Sequence, residues 1–445
     1  MRNNKKNYST VVQQVQEIEN IENFFVHILQ CFKYKNVHFS QTKKYFTENI
    51  YIKSLNYTGI SLIMHLMCVR KHRNNLTFLG GKNMDKKLRI GIIGCGGIAN
   101  GKHMPSLKKL KNVEMVAFCD IIEERAQKAA KDYGTEDAFV CTDYKELLKD
   151  ESIDIVHVCT PNREHSFITI DALHAGKHVM CEKPMAKTYA EAKAMLEAAK
   201  ETGKKLSIGY QNRQCGANRF AKEACLNGEL GDIYYAKALA LRRRGVPTWG
   251  VFLNEEEQGG GPLIDIGTHA LDLTLWMMNN YEPKMVVGNT FRKLADQTGT
   301  GNPWADWDPA EFTVEDAAFG YIVMKNGAVI NLESSWALNI AESPEATFML
   351  CGTKAGIDTL GGQVRINTVK HGQQTIEVSP CKAGGVAFYD GNSTDPSVLD
   401  MAQWIDAVAN DHDPCVLPEQ ALCVTRILEA IYTSAKTGKP VYFDD

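Results

Sequence analysis

From Leu88 to Gly209 the chain repeats one pattern: an apolar run of four to seven residues, then a stretch whose apolar positions recur at helical spacing. The runs are "LRIGII", "VEMVAFC", "AFVC", "IDIVHVC", "HVMC" and "KKLSIG", and the helical stretches include "EERAQKAAKDYG", "HSFITIDALHAG" and "TYAEAKAMLEAAKETG". Runs this short and this uniformly apolar read as strands buried on both faces, with the intervening helices as the covering layers. The predicted class is α/β, with a doubly wound parallel sheet. Several helical stretches end in Gly, which suits a left-handed helix stop.

The first run leads into "GCGGIA", residues 94–99. Gly94 permits a tight turn, Gly96 lets the backbone approach a pyrophosphate, and Ala99 stands where a third glycine often helps helix and strand pack, with Gly97 and Ile98 between them. The helix that follows offers N–H groups and a positive dipole end to phosphates. Asp120 closes the second run about twenty residues on, placed to accept hydrogen bonds from ribose hydroxyls. A carboxylate there repels a 2′-phosphate, and Ile121 and Ile122 follow rather than Arg or Ser. The unit is therefore expected to be an N-terminal Rossmann domain that takes NAD in preference to NADP; a glycine turn serving packing alone is the competing reading.

In an open parallel sheet the carboxyl ends of the strands face the ligand crevice. The fourth run ends in "CTPNREHS", which makes Thr160, Pro161, Asn162 and His165 candidate contacts on the nicotinamide side. For Asn162 and His165 a helix cap and first-turn packing are equally good readings. The fifth run ends in "CEKPMAKT", so Glu182 and Lys183 emerge into the same crevice.

Five motifs in register, "GIIGCGGIA", "CTPNREH", "CEKPMA", "GYQNR" and "GGGPLIDIGTHALDLTLWMM", resemble those of the Gfo/Idh/MocA family of oxidoreductases, over roughly residues 86–445. The resemblance implies catalytic roles for Lys183, Asp265 and His269, with Glu182 and Pro184 fixing the lysine beside the cofactor. Oxidising a secondary alcohol needs a base for the hydroxyl proton and a cation near the developing alkoxide, and these residue types can supply both. Asp265 and His269, four apart after "GGGP", are expected on one face at a helix start, and Asp272 three residues later could orient the imidazole.

After "SIGYQNR" the pattern changes to long runs joined by Gly turns, with "KNGA" read as a hairpin. The expected organisation is residues 84–208 as the Rossmann domain and residues 209–445 as an α+β domain with a large, mostly antiparallel sheet. The resemblance implies homo-oligomers, dimeric or tetrameric, formed through that sheet, and terminal helices that pack back on the first domain. In "LRRRGVPTWG", Arg242 and Arg244 share one face, Arg243 takes the other, and Trp249 could stack on a pyranose. Arg213 is a further candidate substrate contact. A charged strand face with a loop aromatic folded into the core is the alternative.

The formal net charge of −3 gives no electrostatic case for nucleic acid or an anionic membrane. The 13 cysteines include no C-x-x-C pair, so no metal site is suggested, and they read as buried thiols of a reducing cytoplasm. Residues 1–83 are rich in Asn, Lys and Tyr with no sustained period, and their most apolar piece, "TGISLIMHLMCV", is too short to span a bilayer. "GGKN" before Met84 can encode a purine-rich ribosome-binding site, so translation is expected to start at Met84. The functional expectation is a dehydrogenase acting on a ring hydroxyl of a sugar, sugar derivative or polyol. A glycosidase that oxidises transiently and eliminates its aglycone, and a cofactor-binding regulator, are the alternatives.

Overall fold

The structure is a computed structural model and describes residues 87–382 and 395–443. The expectations for residues 1–83 lie outside the described residues.

The first sheet holds β1 (Leu88–Ile93), β2 (Val113–Cys119), β3 (Phe139–Cys141), β4 (Ile155–Val158), β5 (His178–Cys181) and β6 (Leu206–Ile208) in the order β3-β2-β1-β4-β5-β6, and every pairing is parallel. The order reverses between β1 and β4, which opens a crevice at their carboxyl ends. β4 is buried along its whole length, as a strand covered on both faces must be. The glycine stops divide into two kinds. Gly203 and Gly438 take left-handed φ values of 64° and 69°. Gly134 does not, at φ −76°; there an added Cβ would lie 2.6 Å from the Ala130 carbonyl oxygen, so the glycine supplies room rather than a left-handed turn.

The second sheet comprises β7 (Ile233–Leu241), β8 (Pro283–Phe291), β9 (Ala317–Met324), β10 (Val329–Ser335), β11 (Thr347–Gly352), β12 (Gly356–Asp358), β13 (Gln363–Lys370), β14 (Gln373–Lys382) and β15 (Val441–Tyr442). Its order is β14-β13-β12-β11-β7-β10-β9-β8-β15, antiparallel except for the β7–β10 pair. The "KNGA" segment turns β9 into β10, with Gly327 at φ 86°. β13 and β14, not anticipated from the sequence, form a hairpin whose turn residues His371 and Gly372 both have positive φ, the geometry of a tight primed turn.

One continuous core runs from the first sheet, through the helices Tyr189–Thr202, Thr268–Met278 and Pro418–Thr437, to the inner face of the second sheet. A separate cluster covers the opposite face of the first sheet, where Met401, Trp404 and Ile405 of the helix Pro396–Ala409 join Ile90, Ile92, Met104 and Phe118. A helix from near the end of the chain thus completes the nucleotide-binding layer.

Candidate active site

The loop after β1 matches its expected geometry. Gly94 has φ 87°, and a Cβ there would meet the Cys159 carbonyl carbon at 2.7 Å, so only glycine lets the β1 and β4 loops lie side by side. No atom lies within 4 Å of a Cβ built at Gly96 or Gly97, which leaves the loop backbone open to a ligand. The Asp120 carboxylate accepts from the Cys95 N–H at 2.8 Å and the Ile122 N–H at 2.9 Å, tying the glycine loop to the end of β2. Beside it Ile121 is 84% exposed and Ile122 is 40% exposed, two apolar side chains facing solvent at the mouth of the crevice. The Thr160 Oγ1 is buried without a hydrogen-bond partner at the end of β4. An open glycine loop, a carboxylate at the end of β2 and an orphaned hydroxyl fit a dinucleotide.

Asn162 and His165 brace loops. Asn162 donates to the Gln258 carbonyl at 3.0 Å, joining the β4 loop to the second domain. His165 is buried between the Pro184 carbonyl at 2.8 Å and the Thr160 carbonyl at 3.0 Å. Burial holds its pKa below the ordinary range, so the neutral ring donates to one of these carbonyls and ties the β4 loop to the β5 loop.

Lys183 leaves the end of β5 and crosses to the second domain, where its Nζ donates to Asp265 Oδ1 at 2.8 Å and to the Asp265 carbonyl at 3.0 Å. Asp265 sits in a π-helical turn, Leu263–Gly267, that runs into the helix Thr268–Met278. Wide turns of this kind concentrate at functional sites. The preceding "GGGP" exists because the backbone passes close to its neighbours: an added Cβ at Gly260 would run into the Tyr432 hydroxyl, and one at Gly261 into the Glu315 carbonyl oxygen. The Glu315 carboxylate fixes that turn by accepting from Gly261 N–H, Leu263 N–H and the Tyr432 hydroxyl. Asp265 Oδ2 accepts from the Trp336 indole at 3.0 Å. Burial pushes the Asp265 pKa up, but the Lys183 and Arg242 charges and these hydrogen bonds outweigh it and hold the carboxyl below its usual range.

His269 lies 1% exposed, edge-on to the Tyr210 ring at 6.0 Å, with Nδ1 enclosed and unpartnered. Burial first, then the Lys183 charge, lower its pKa to about 3. The imidazole is therefore neutral, and able to accept a proton, across the working range. An unfolded histidine protonates near 6.5 and the folded one only near 3, so stability is fully present above pH 6.5 and declines as pH falls through that window. The urea midpoint of the wild type is expected to fall more steeply between pH 6.5 and 4.5 than that of His269→Gln. Equal slopes for the two proteins would contradict the assignment.

Behind Lys183 lies a buried charge network that sequence reasoning did not find. Glu182 Oε1 accepts from Lys102 Nζ at 2.7 Å and from His103 Nε2 at 2.8 Å, and Oε2 faces the Lys183 N–H at 3.2 Å. Glu182, expected to emerge into the crevice and to fix the lysine, is 4% exposed, and it anchors the lysine's backbone. Burial alone would raise its pKa, but Lys102 and His103 hold it well below the usual range. His103 Nδ1 meets His157 Nδ1 at 2.8 Å. With His103 Nε2–H given to Glu182, Nδ1 of His103 accepts and His157 donates, both rings being neutral because burial lowers their pKa values. The only sequence signal was a histidine, His157, inside an otherwise apolar strand.

The candidate substrate contacts separate. Arg213 is 1% exposed and bidentate on Asp272, Nε to Oδ2 at 2.9 Å and an Nη to Oδ1 at 2.5 Å, and it also donates to the Cys415 carbonyl and to Gln420. Its donors are spent in the core, and Asp272 orients Arg213 rather than His269. Arg244 closes a loop on the carbonyls of Thr300 and Leu338 and on Asn339. Arg242 is held bidentate by Glu345 and acts on Asp265 through its charge. Trp249 is 48% exposed.

Residues 88–210 match the model described as "Oxidoreductase family, NAD-binding Rossmann fold", and residues 222–443 its "C-terminal alpha/beta domain". The chain is 38% identical over 354 residues to the D-glucoside 3-dehydrogenase of Escherichia coli (strain K12), covering 80% of this chain and 97% of that one. It is 32% identical over 252 residues to the glucose-6-phosphate 3-dehydrogenase of Bacillus subtilis (strain 168), 56% of this chain and 67% of the relative. Among solved structures it is similar to the aldose-aldose oxidoreductase of Caulobacter crescentus complexed with glycerol, with TM-score 0.65, 26% identity, and 80% and 100% of the two chains covered. The order of the two sheets, the crevice at the β1–β4 switch point and both matched domains agree: the chain belongs to the Gfo/Idh/MocA family of NAD-binding oxidoreductases.

Proposed function

We propose that this protein is an NAD-dependent dehydrogenase that oxidises a ring hydroxyl of a pyranose sugar, at C3 of a D-glucoside. One observation carries the chemistry. An ammonium has three donors, and two of those on Lys183 go to Asp265, so the third is free for a substrate hydroxyl oxygen. Asp265 fixes the direction of that donor, and a positive group placed there favours negative charge on the substrate oxygen. His269, neutral and beside Lys183, receives the hydroxyl proton on its ring. The glycine loop, Asp120 and the β4 loop would hold NAD, which when bound would supply the hydride acceptor. The names of the two relatives support the C3 position.

The test is a panel of glucosides, free sugars and inositols with NAD and NADP, read for both reduced cofactor and the position of the new carbonyl. Net NADH with a 3-keto glucoside is the expected result; cleaved glycoside without net NADH would overturn it.

Preference for NAD rests on Asp120. Two backbone N–H groups occupy part of its carboxylate, which has about four acceptor sites, and the rest remain for ribose hydroxyls. Asp120→Asn keeps an acceptor for Cys95 and removes the charge that repels a 2′-phosphate. The ratio of kcat/KM with NADP to that with NAD is expected to rise by roughly tenfold or more, since juxtaposed like charges cost several kcal/mol. An unchanged ratio would mean that discrimination lies elsewhere.

A further inference from the structure

Two tryptophans lie exposed on separate loops of the second domain: Trp249 is 48% and Trp304 is 47% accessible, and their rings meet edge to face with centroids 4.8 Å apart. The loops that carry them are stitched together. Asn302 both accepts from the Val246 N–H and donates to the Val246 carbonyl, each at 3.0 Å, and Arg244 donates to the Thr300 carbonyl at 3.1 Å. The pair is thus a fixed surface rather than two loose side chains. It is also joined to the catalytic aspartate. Trp249 packs on Phe252, Phe252 on the buried Trp336, and the Trp336 indole donates to Asp265. A second path runs through Arg242, whose guanidinium lies 5.5 Å from the Trp304 ring centroid and whose charge is felt at Asp265.

We infer that Trp249 and Trp304 form a platform for the aglycone of the substrate, and that the aglycone is a ring with an apolar face, either aromatic or a second pyranose. This rests on reading the site as one for glycosides. An indole face offers dispersion and CH–π contact to a flat ring, whereas a methyl aglycone leaves it largely uncovered. Arg242, held bidentate by Glu345, lies at the Trp304 ring as a cation–π partner that stiffens this wall.

Binding of methyl D-glucosides, phenyl D-glucosides and cellobiose to the full chain with NADH, measured by calorimetry, tests this without turnover. The ringed aglycones are expected to bind roughly tenfold more tightly than the methyl one, the scale of one stacking contact. That ratio should collapse in Trp249→Ala and in Trp304→Ala and survive largely in Trp304→Phe, which keeps a ring and controls for folding. Loss with phenyl but not cellobiose identifies an aromatic aglycone, loss with cellobiose but not phenyl a sugar, and loss with both a platform that takes either ring. No preference in the wild type, a preference that survives both alanine variants, or a change in oligomeric mass as their main effect would overturn the platform. Absence of hydride transfer from any glycoside, with the binding ratio intact, would count against the proposed reaction and leave the platform standing.

Discussion

Lys183→Met is expected to lower kcat by about 10²–10⁴-fold, the range of a lost proton-transfer or charge-stabilising partner, while the protein still takes up NADH. Methionine keeps the length and volume of the lysine stem, so the end of β5 should hold its path. What disappears is the donor pair to Asp265 and the third N–H offered to substrate. Asp265 would keep the Trp336 indole but lose the cation that outweighs its burial, and its carboxyl would shift toward protonation. Because lysine and aspartate act as one unit, adding Asp265→Asn should cost little more than the single substitution. NADH fluorescence titration together with steady-state rates decides the matter; a loss below tenfold, or a lost cofactor affinity, would remove Lys183 from the role given to it.

Arg213→Met is expected to destabilise the protein by about 3–5 kcal/mol, because it strands the Asp272 carboxylate, 1% exposed, with no counter-charge. Against a usual total of about 5–15 kcal/mol, that is a large fraction of the stability. Burial works against the charge on Arg213, but the Asp272 carboxylate outweighs it, and the guanidinium stays charged. Adding Asp272→Leu should restore much of the loss, since an apolar pair in place of a buried ion pair is often neutral or better. The readout is the urea midpoint of both variants at one pH. A raised KM for substrate with an unmoved midpoint would return Arg213 to the crevice, where the sequence alone had suggested it.

The difference between that suggestion and the structure shows where sequence reasoning stops. The strands of the first sheet were legible because burial on both faces leaves a nearly continuous apolar run, as in "IVHV" of β4, where only His157 is polar. β13 and β14 were not, since they lie at a sheet edge with apolar residues such as Val369 and Ile376 facing solvent, and polar residues interrupt the alternation. Lys183, Asp265 and His269 were placed together by motif. Their distances depend on a π-helical turn that no spacing rule encodes. Arg213 and Asp272 are separated by 59 residues, and nothing local in either motif announces the other. The same holds for Lys102 and Glu182, whose pairing appears only once β5 and the helix after the glycine loop converge.

The helix Pro396–Ala409 closes one face of the nucleotide sheet, and its Asp400 approaches Lys102 to 3.9 Å. During synthesis, β1 to β6 leave the ribosome long before that helix does, so the nascent first half must wait with an apolar layer uncovered while the entire second sheet emerges. A truncated N-terminal product would therefore offer chaperones and proteases a bare hydrophobic surface where the full chain lays Met401, Trp404 and Ile405.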